Sequence, residues 1–243
     1  MNRKDYCKKR KIGVVPRSDL VNKTQCVRDD IYRLDNNYCK RVLEAGALPL
    51  CVTPVDNWIP EESLAMYDGY VVQGGSEFYP YHFQIIHDAV VNHKPYLGIC
   101  LGEQLIHAYF TMKQMAEEAG YQGDPVKAIC ALLEDRGPSF SVLERVQGHY
   151  RVSPPRGEED VAKHDVSVVP GTILHRLVGK STIRAASFHN LQVPPSQKLL
   201  TVNAWSADGV VEGVEYGDNL LGVQFHPELD DLLPEIFSFL TEK

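Results

Sequence analysis

The sequence has no long hydrophobic run and no large block of positive charge. No apolar segment approaches the ~18 residues needed to cross a bilayer, and the N-terminus, MNRKDYCKKRK, lacks the apolar core of a signal peptide. The 25 basic and 32 acidic residues give a net charge of −7, with one short basic cluster at 8–11. We therefore expect a cytoplasmic protein that binds neither membrane nor nucleic acid, with a small molecule or another protein as its partner.

The sequence also lacks the cysteine spacing of a metal site or a disulfide framework. Its six cysteines, at positions 7, 26, 39, 51, 100 and 130, form no CxxC pair and no ligand spacing. Free thiols in a reducing compartment are a simpler interpretation than a structural zinc. We expect no metal and no organic cofactor.

The composition is that of a globular α/β protein. The 243 residues, 44% apolar and 23% charged, are enough to bury a sizeable core. In the first hundred residues, predicted strands (11–16, 48–54, 69–75 and 95–99) alternate with predicted helices (27–45 and 82–93). This alternation predicts a parallel sheet with helices on both faces, and ligand sites lie at the carboxyl ends of such strands.

The rest of the chain has a different pattern. Residues 111–148 predict two helices, which form either a lid or partner-docking surface, or a peripheral insertion without a catalytic role. From 149 onwards the pattern favours β-strands, and LDDLLPEIFSFL at 229–240 predicts a closing amphipathic helix. No repeat or low-complexity linker divides the sequence, so we expect a single domain over 1–243.

The segment GICLG, at 98–102, places a cysteine between two glycines at the end of a predicted strand. Small residues two positions either side of a nucleophile are what a sharp strand-to-helix turn requires. Such a turn holds Cys100 above the sheet, at a helix N-terminus whose partial positive charge favours a thiolate. A small buried structural cysteine is the alternative, and the strand-before, helix-after context favours a nucleophile.

A thiol nucleophile needs a base, and the segment FHPE at 225–228 offers one. His226 follows a strongly apolar strand, and in extended chain Glu228 projects to the same side, where its carboxylate can orient the imidazole. Acyl transfer also needs oxyanion donors. The backbone N–H of Leu101 is one candidate, and the Gly74-Gly75 end of the third strand offers a second.

Together these segments resemble the class I glutamine amidotransferase superfamily. GICLGEQ at 98–104, the glycine pair and FHPE at 225–228 match in order and spacing, over essentially the whole chain. GGSEFYP at 74–80 and residues 165–215 are most similar to the γ-glutamyl-GABA hydrolase (peptidase C26) family. The resemblance implies a flavodoxin-like fold with a mostly parallel central sheet, helices on both faces and extra C-terminal β structure.

The resemblance also implies roles for individual residues. Cys100 would be the nucleophile, His226 the base and Glu228 its orienting carboxylate, while Gly75 and Leu101 would supply the oxyanion-hole amides. Three further residues would bind substrate: Gln104, Asn190 and Leu191. His189 is interpreted as a structural histidine.

Three functions remain open at this stage. The first is a hydrolase that releases glutamate and an amine from γ-glutamyl amides through a γ-glutamyl thioester. The second is a glutaminase subunit that passes ammonia from glutamine to a synthase partner, and the third is a catalytically silent binding domain. Leu101 stands where the hydrolases usually have arginine, so the leaving amine stays undetermined.

Overall fold

The structure, a computed structural model, describes residues 9–19, 31–136, 141–149, 159–229 and 233–242. The first residues of the helix predicted from Val27, and residues 230–232 of the predicted C-terminal helix, lie outside the described residues.

Thirteen strands and seven α-helices are described. The strands are β1 (Lys11–Val15), β2 (Arg17–Asp19), β3 (Ile31–Arg33), β4 (Leu48–Cys51), β5 (Gly69–Val72), β6 (Tyr96–Ile99), β7 (Glu144–Arg145), β8 (Lys163–Val168), β9 (Thr182–Ala186), β10 (Leu191–Gln192), β11 (Thr201–Ser206), β12 (Val211–Tyr216) and β13 (Leu220–Val223). The helices are α1 (Asn36–Glu44), α2 (Glu61–Leu64), α3 (Pro80–Val91), α4 (Leu101–Glu118), α5 (Pro125–Arg136), α6 (Ile173–Val178) and α7 (Glu235–Ser238).

Nine strands form one central sheet in the order β4-β1-β5-β6-β13-β12-β11-β8-β9. The strands from β4 to β13 are parallel, and the pairings from β13 to β9 are antiparallel. The expected α/β fold, with a parallel central sheet and extra C-terminal β structure, is confirmed. Strand β6 pairs with β13, so the segment after each strand reaches the same edge of the sheet.

Apolar side chains pack on both faces of this sheet, as its strand alternation requires. Ile12 and Val14 of β1 face a core that includes residues of α1, α6 and α7. Val15 faces the opposite core, which includes residues of α3, α4 and α5. Burial of both faces explains why the parallel strands read as continuous apolar runs.

Two sequence predictions are corrected by the structure. Residues 31–33 form a strand that pairs with β2, so helix α1 begins at Asn36 and not near Val27. The helix predicted from Thr111 is the second half of α4, which runs unbroken from the cysteine turn to Glu118. Helical periodicity continues through 31–33, yet pairing with β2 decides the conformation there. Among the described helices, none combines the length and hydropathy that a bilayer crossing requires.

Candidate active site

The turn between β6 and α4 holds Cys100 in a strained backbone conformation. Its φ of 55° and ψ of −104° lie in a region that L-residues rarely adopt. The turn requires glycine at both flanking positions because backbone atoms lie where a Cβ would be. A Cβ on Gly98 would lie 2.2 Å from the carbonyl oxygen of Gly102, and one on Gly102 would lie 2.5 Å from that of Val72. The sharp turn predicted from GICLG is therefore present.

This packing predicts that Gly98→Ala disrupts the turn. The atoms that an added Cβ would meet belong to the backbone of Gly102 and Glu103, so they cannot rotate aside. We therefore expect the unfolding free energy to fall by about 1–3 kcal/mol. Urea unfolding measures it. Gly120→Ala gives the cost of backbone strain without a clash, since φ is +86° there and nothing lies within 4 Å of an added Cβ. An equal loss in both variants would show that the clash is relieved.

His226 and Glu228 lie beside Cys100 and are bonded to each other. Nδ1 of His226 is 2.7 Å from Oε1 of Glu228. A Cβ on Gly74 would lie 2.9 Å from Cε1 of His226 and 3.4 Å from Cβ of Cys100, so the imidazole and the cysteine are neighbours. The sequence led us to expect the pairing of His226 with Glu228 in extended chain. In the structure it occurs instead within a 3-10 turn over Pro227–Leu229. The three side chains meet because β13 pairs with β6, which brings the two strand ends together.

The electrostatics of this group favour a charged imidazole. Burial alone would lower the pKa of His226, but the Glu228 charge and the hydrogen bonds with Cys100 and Glu228 outweigh it. The pKa of His226 is therefore held well above its usual range. An imidazolium next to the sulfur, with a buried carboxylate behind it, is a suitable arrangement for a general acid.

Helix α1 supplies a side chain that the sequence interpretation missed. The hydroxyl of Tyr38 accepts a hydrogen bond from the Gly74 N–H at 3.1 Å and lies within the electrostatic influence of the Glu228 carboxylate. Burial, then the Glu228 charge, raises the pKa of Tyr38 well above its usual range, so the hydroxyl stays protonated. Arg41 Nε donates to the Glu228 carbonyl oxygen at 3.3 Å. The helical spacing of apolar residues around Tyr38 predicts only that its side chain is buried. Such spacing does not indicate which group a tyrosine hydroxyl contacts.

Cys100, His226 and Glu228 open into a cleft of about 590 Å³. Its other walls come from the paired strands β2 and β3, the start of α1, the loop after β5, and the segment around Phe188. Cys100 is 7% exposed, so the sulfur is mostly covered but lines this cleft. None of the described residues of the 111–148 segment lines it. The idea that this segment is a lid stays a prediction.

The residues predicted for the oxyanion hole lie at the same place. A Cβ on Gly75 would lie 2.8 Å from Cδ2 of Leu101, so the two residues are in close approach. As the first residue of α4, Leu101 has a backbone N–H with no intrahelical acceptor. Gly75 also lines the cleft.

The three residues predicted to bind substrate lie away from the described cleft lining. Gln104 is buried, and its Nε2 donates to the Leu191 carbonyl oxygen at 3.1 Å and to Gln224 Oε1 at 2.8 Å. Asn190 is exposed, and its carbonyl oxygen accepts from the Val146 N–H. Gln104 and Leu191 are thus brought together by a structural hydrogen bond, and their binding roles stay predictions.

A second cavity, of about 710 Å³, lies between α2 and α3 and includes His87 and Asp88. Of the described residues that line it, none is a cysteine, serine or threonine. Asp88 is engaged there by Tyr70 and Lys94, with 2.7 Å to Lys94 Nζ. The cleft at Cys100 is therefore the candidate active site.

A cysteine on such a turn, within a parallel sheet extended by antiparallel strands, agrees with the resemblance to the class I glutamine amidotransferase superfamily. The family model of peptidase C26 matches residues 81–228, more than half of the chain. The chain belongs to the peptidase C26 family.

Individual relatives are more distant. The chain is 25% identical to the CTP synthase of Halobacterium salinarum over 181 residues, which are 69% of this chain and 30% of that protein. It is 28% identical to Protein NtpR of Enterococcus hirae over 148 residues, 60% of this chain and 52% of that protein. The chain thus spans less than a third of the CTP synthase that it matches.

Solved structures support the fold. The glutaminase domain of Trypanosoma brucei CTPS with bound acivicin superposes with a TM-score of 0.60 at 18% identity, over 95% of this chain and 92% of that one. A glutamine amidotransferase from Thermotoga maritima gives 0.53 at 19% identity, over 90% and 76%. At this identity the likeness concerns the fold alone.

Proposed function

We propose that the protein hydrolyses γ-glutamyl amides with Cys100 as nucleophile, His226 as acid and base, and Glu228 as the group that orients His226. The observation that carries the proposal is the meeting of Cys100, His226 and Glu228 in one cleft, with His226 hydrogen-bonded to Glu228. The cleft is open, and Cys100 lies on a strained turn at a helix N-terminus.

The reaction has two halves. The Cys100 thiol gives its proton to His226 and the sulfur attacks the γ-carbonyl carbon, while the Leu101 and Gly75 amides stabilise the resulting oxyanion. His226 protonates the departing nitrogen, which leaves a γ-glutamyl thioester. In the second half, His226 takes a proton from water, hydroxide adds to the thioester carbonyl, and glutamate leaves with regeneration of the thiol.

The cleft also supports a site for a substrate carboxylate. Arg17 and Arg33 are paired on strands β2 and β3, and both line the cleft. Arg17 lies 3.5 Å from Asp35 through Nη2. In the part of the chain that the structure describes, its buried Nε has no hydrogen-bond acceptor. A guanidinium with a free donor suits a carboxylate, and we propose that Arg17 binds one on the substrate.

We therefore expect Arg17→Met to raise KM by about 10–100-fold while changing kcat much less, because a charge-assisted hydrogen bond to bound substrate is lost. Steady-state kinetics on the preferred γ-glutamyl substrate measure this. Arg184→Met, a change at an exposed arginine of β9, is the matched control. A fall in kcat with KM unchanged would contradict a binding role.

A second function is favoured by the comparisons. The aligned region covers 30% of CTP synthase, and a structural neighbour is a glutaminase domain. The same chemistry on glutamine would release ammonia to a separate synthase. Such a subunit would turn over little glutamine until its partner docks.

One experiment distinguishes the two functions. The purified chain is incubated with glutamine and with a panel of γ-glutamyl amines and γ-glutamyl amino acids, and released glutamate is measured. Cleavage of a panel member by the chain alone supports the hydrolase, and cleavage of none overturns it. Glutamine turnover that requires a co-purified synthase would support the second function.

A further inference from the structure

Three imidazoles outside the active site converge on one buried carboxylate oxygen in the antiparallel half of the sheet. Oε1 of Glu212, on β12, is 3.1 Å from Nδ1 of His149, 3.2 Å from Nε2 of His164 and 3.3 Å from Nε2 of His189. Nδ1 of His149 is also 3.1 Å from Nε2 of His189. These distances describe a single cluster built from four separate segments.

The outer hydrogen bonds of two imidazoles determine which ring nitrogens face the cluster with a lone pair. Nδ1 of His189 is 2.9 Å from the Leu191 carbonyl oxygen, which can only accept, so Nδ1 carries the proton. Nε2 of His149 is 3.0 Å from the Asp208 carboxylate and carries its proton for the same reason. In the neutral rings, Nε2 of His189 and Nδ1 of His149 therefore present lone pairs to each other and to Glu212.

Such an arrangement of lone pairs is repulsive unless a proton or a metal cation lies between them. The ligand atoms of His149, His164 and Glu212 all lie within 4.8 Å of one another. Tetrahedral zinc with bonds of about 2.0–2.1 Å would place neighbouring ligand atoms about 3.3 Å apart, close to the distances here. In zinc sites, a ligating histidine usually donates its other N–H to a carboxylate or a carbonyl.

Two buried atoms of the cluster have no hydrogen-bond partner among the described residues. They are Oε2 of Glu212 and Nε2 of His164, whose approach to Oε1 lacks hydrogen-bond geometry. A cavity of about 370 Å³, lined by His149, His164 and Asp208, gives an entry path from solvent. Unpartnered ligand atoms next to an accessible cavity are what an ion-binding site needs and a closed hydrogen-bond network does not.

We propose that His149, His164 and Glu212 bind a zinc-like divalent cation. Two imidazoles and one carboxylate suit Zn²⁺ better than Ca²⁺ or Mg²⁺, which prefer oxygen. His189 contacts both Glu212 and His149 beside this group. His149 and His164 are 15 residues apart in sequence, and His164 and Glu212 are 48 apart, so no local spacing reveals them.

The bound cation would fix the segment that supports His226. Residue 186 accepts a hydrogen bond from the His226 N–H at 2.8 Å, and the Phe188 ring lies 5.5 Å from the His226 ring. His189 follows directly. The ion would thus join β8, β12 and residue 149 to the wall of the active-site cleft, as a structural centre and not a catalytic one.

The test measures metal directly, in a Cys100→Ser background so that the active-site thiol cannot bind the ion. The chain is stripped with dipicolinate, reloaded with zinc sulfate, desalted and analysed by inductively coupled plasma mass spectrometry. We expect about one zinc per chain. With free zinc about 100-fold above its dissociation constant, the melting temperature should rise by roughly 5–10 °C. Cobalt(II) should give the visible absorption of a tetrahedral centre.

Two variants and one control locate the ion. His164→Asn should abolish stoichiometric zinc and the cobalt spectrum. Asp208→Asn, at a 58% exposed side chain, should weaken zinc binding by about 10–100-fold without loss of fold. His175→Asn, on helix α6, should bind like the parent. Trace zinc after reloading, or equal zinc in His164→Asn and the parent, would overturn the proposal; a protonated His149 would then hold the cluster together.

Discussion

Cys100→Ala is expected to reduce γ-glutamyl hydrolysis by roughly 10⁴–10⁶-fold, because no thioester can form without the sulfur. The chain should still fold, since alanine keeps the Cβ and only the Sγ leaves the cleft wall. Glutamate release measures the loss. Acid-quenched native protein should carry a γ-glutamyl adduct on the peptide that contains Cys100, detected by mass spectrometry and missing from the variant.

The control for this change is Cys51→Ala, at an exposed cysteine that ends β4. It should keep the activity of the native chain. Residual hydrolysis above a hundredth of native in Cys100→Ala, or an adduct on another cysteine peptide, would show that a different group is the nucleophile.

The backbone strain at Cys100 can be tested by urea unfolding of two Cys100 variants. Glycine tolerates a φ of 55°, whereas cysteine and alanine do not. Cys100→Gly should therefore unfold at a higher urea concentration than Cys100→Ala, by about 1 kcal/mol in unfolding free energy, although both are inactive. Equal stability would mean that the turn holds no strain.

The parts of the fold that the sequence predicted are those set by local rules. Apolar runs bounded by glycine and proline located the parallel strands, and the GICLG spacing located the turn, because a Cβ at Gly98 or Gly102 has no room. The resemblance of the motifs implied that His226 acts on Cys100, but the pairing of β13 with β6, which brings the two together, was not predicted. Spacing alone cannot give that strand order.

The misses share one physical cause. Tyr38 lies near Glu228 but 190 residues from it in sequence, and the strand at 31–33 exists only because β2 lies opposite it. The cluster at Glu212 likewise forms across strands. A hydroxyl, imidazole or carboxylate carries no local sign of its partner, so tertiary contacts of polar groups stay invisible until the sheet order is known.

The arrangement around Glu228 has a consequence for catalysis. Its carboxylate bonds to His226 and its charge acts on the nearby Tyr38 hydroxyl, while Arg41 bonds to its backbone oxygen. Helix α1 and the 3-10 turn are thus joined through the residue that orients the imidazole. A shift of either α1 or the 3-10 turn would therefore rotate His226 relative to the Cys100 sulfur.

Glu228→Gln should lower kcat/KM by roughly 10²–10⁴-fold, because an amide can hold the imidazole in the wrong tautomer and removes the charge behind it. It should also move the pH profile. The Glu228 charge helps to raise the pKa of His226, so its loss lowers that pKa. The protonated imidazole that donates to the leaving amine is then lost at lower pH, and the alkaline limb of kcat/KM shifts downward.

The shift separates an electrostatic role from a purely structural one. Glu235→Gln, at an exposed glutamate in the first turn of α7, removes the same charge from the chain without touching His226, and should leave both rate and profile unchanged. A merely destabilised fold would reduce the rate at every pH and keep the limb in place. A Glu228→Gln profile that falls in height alone would therefore show that Glu228 supports the turn but does not set the protonation of His226.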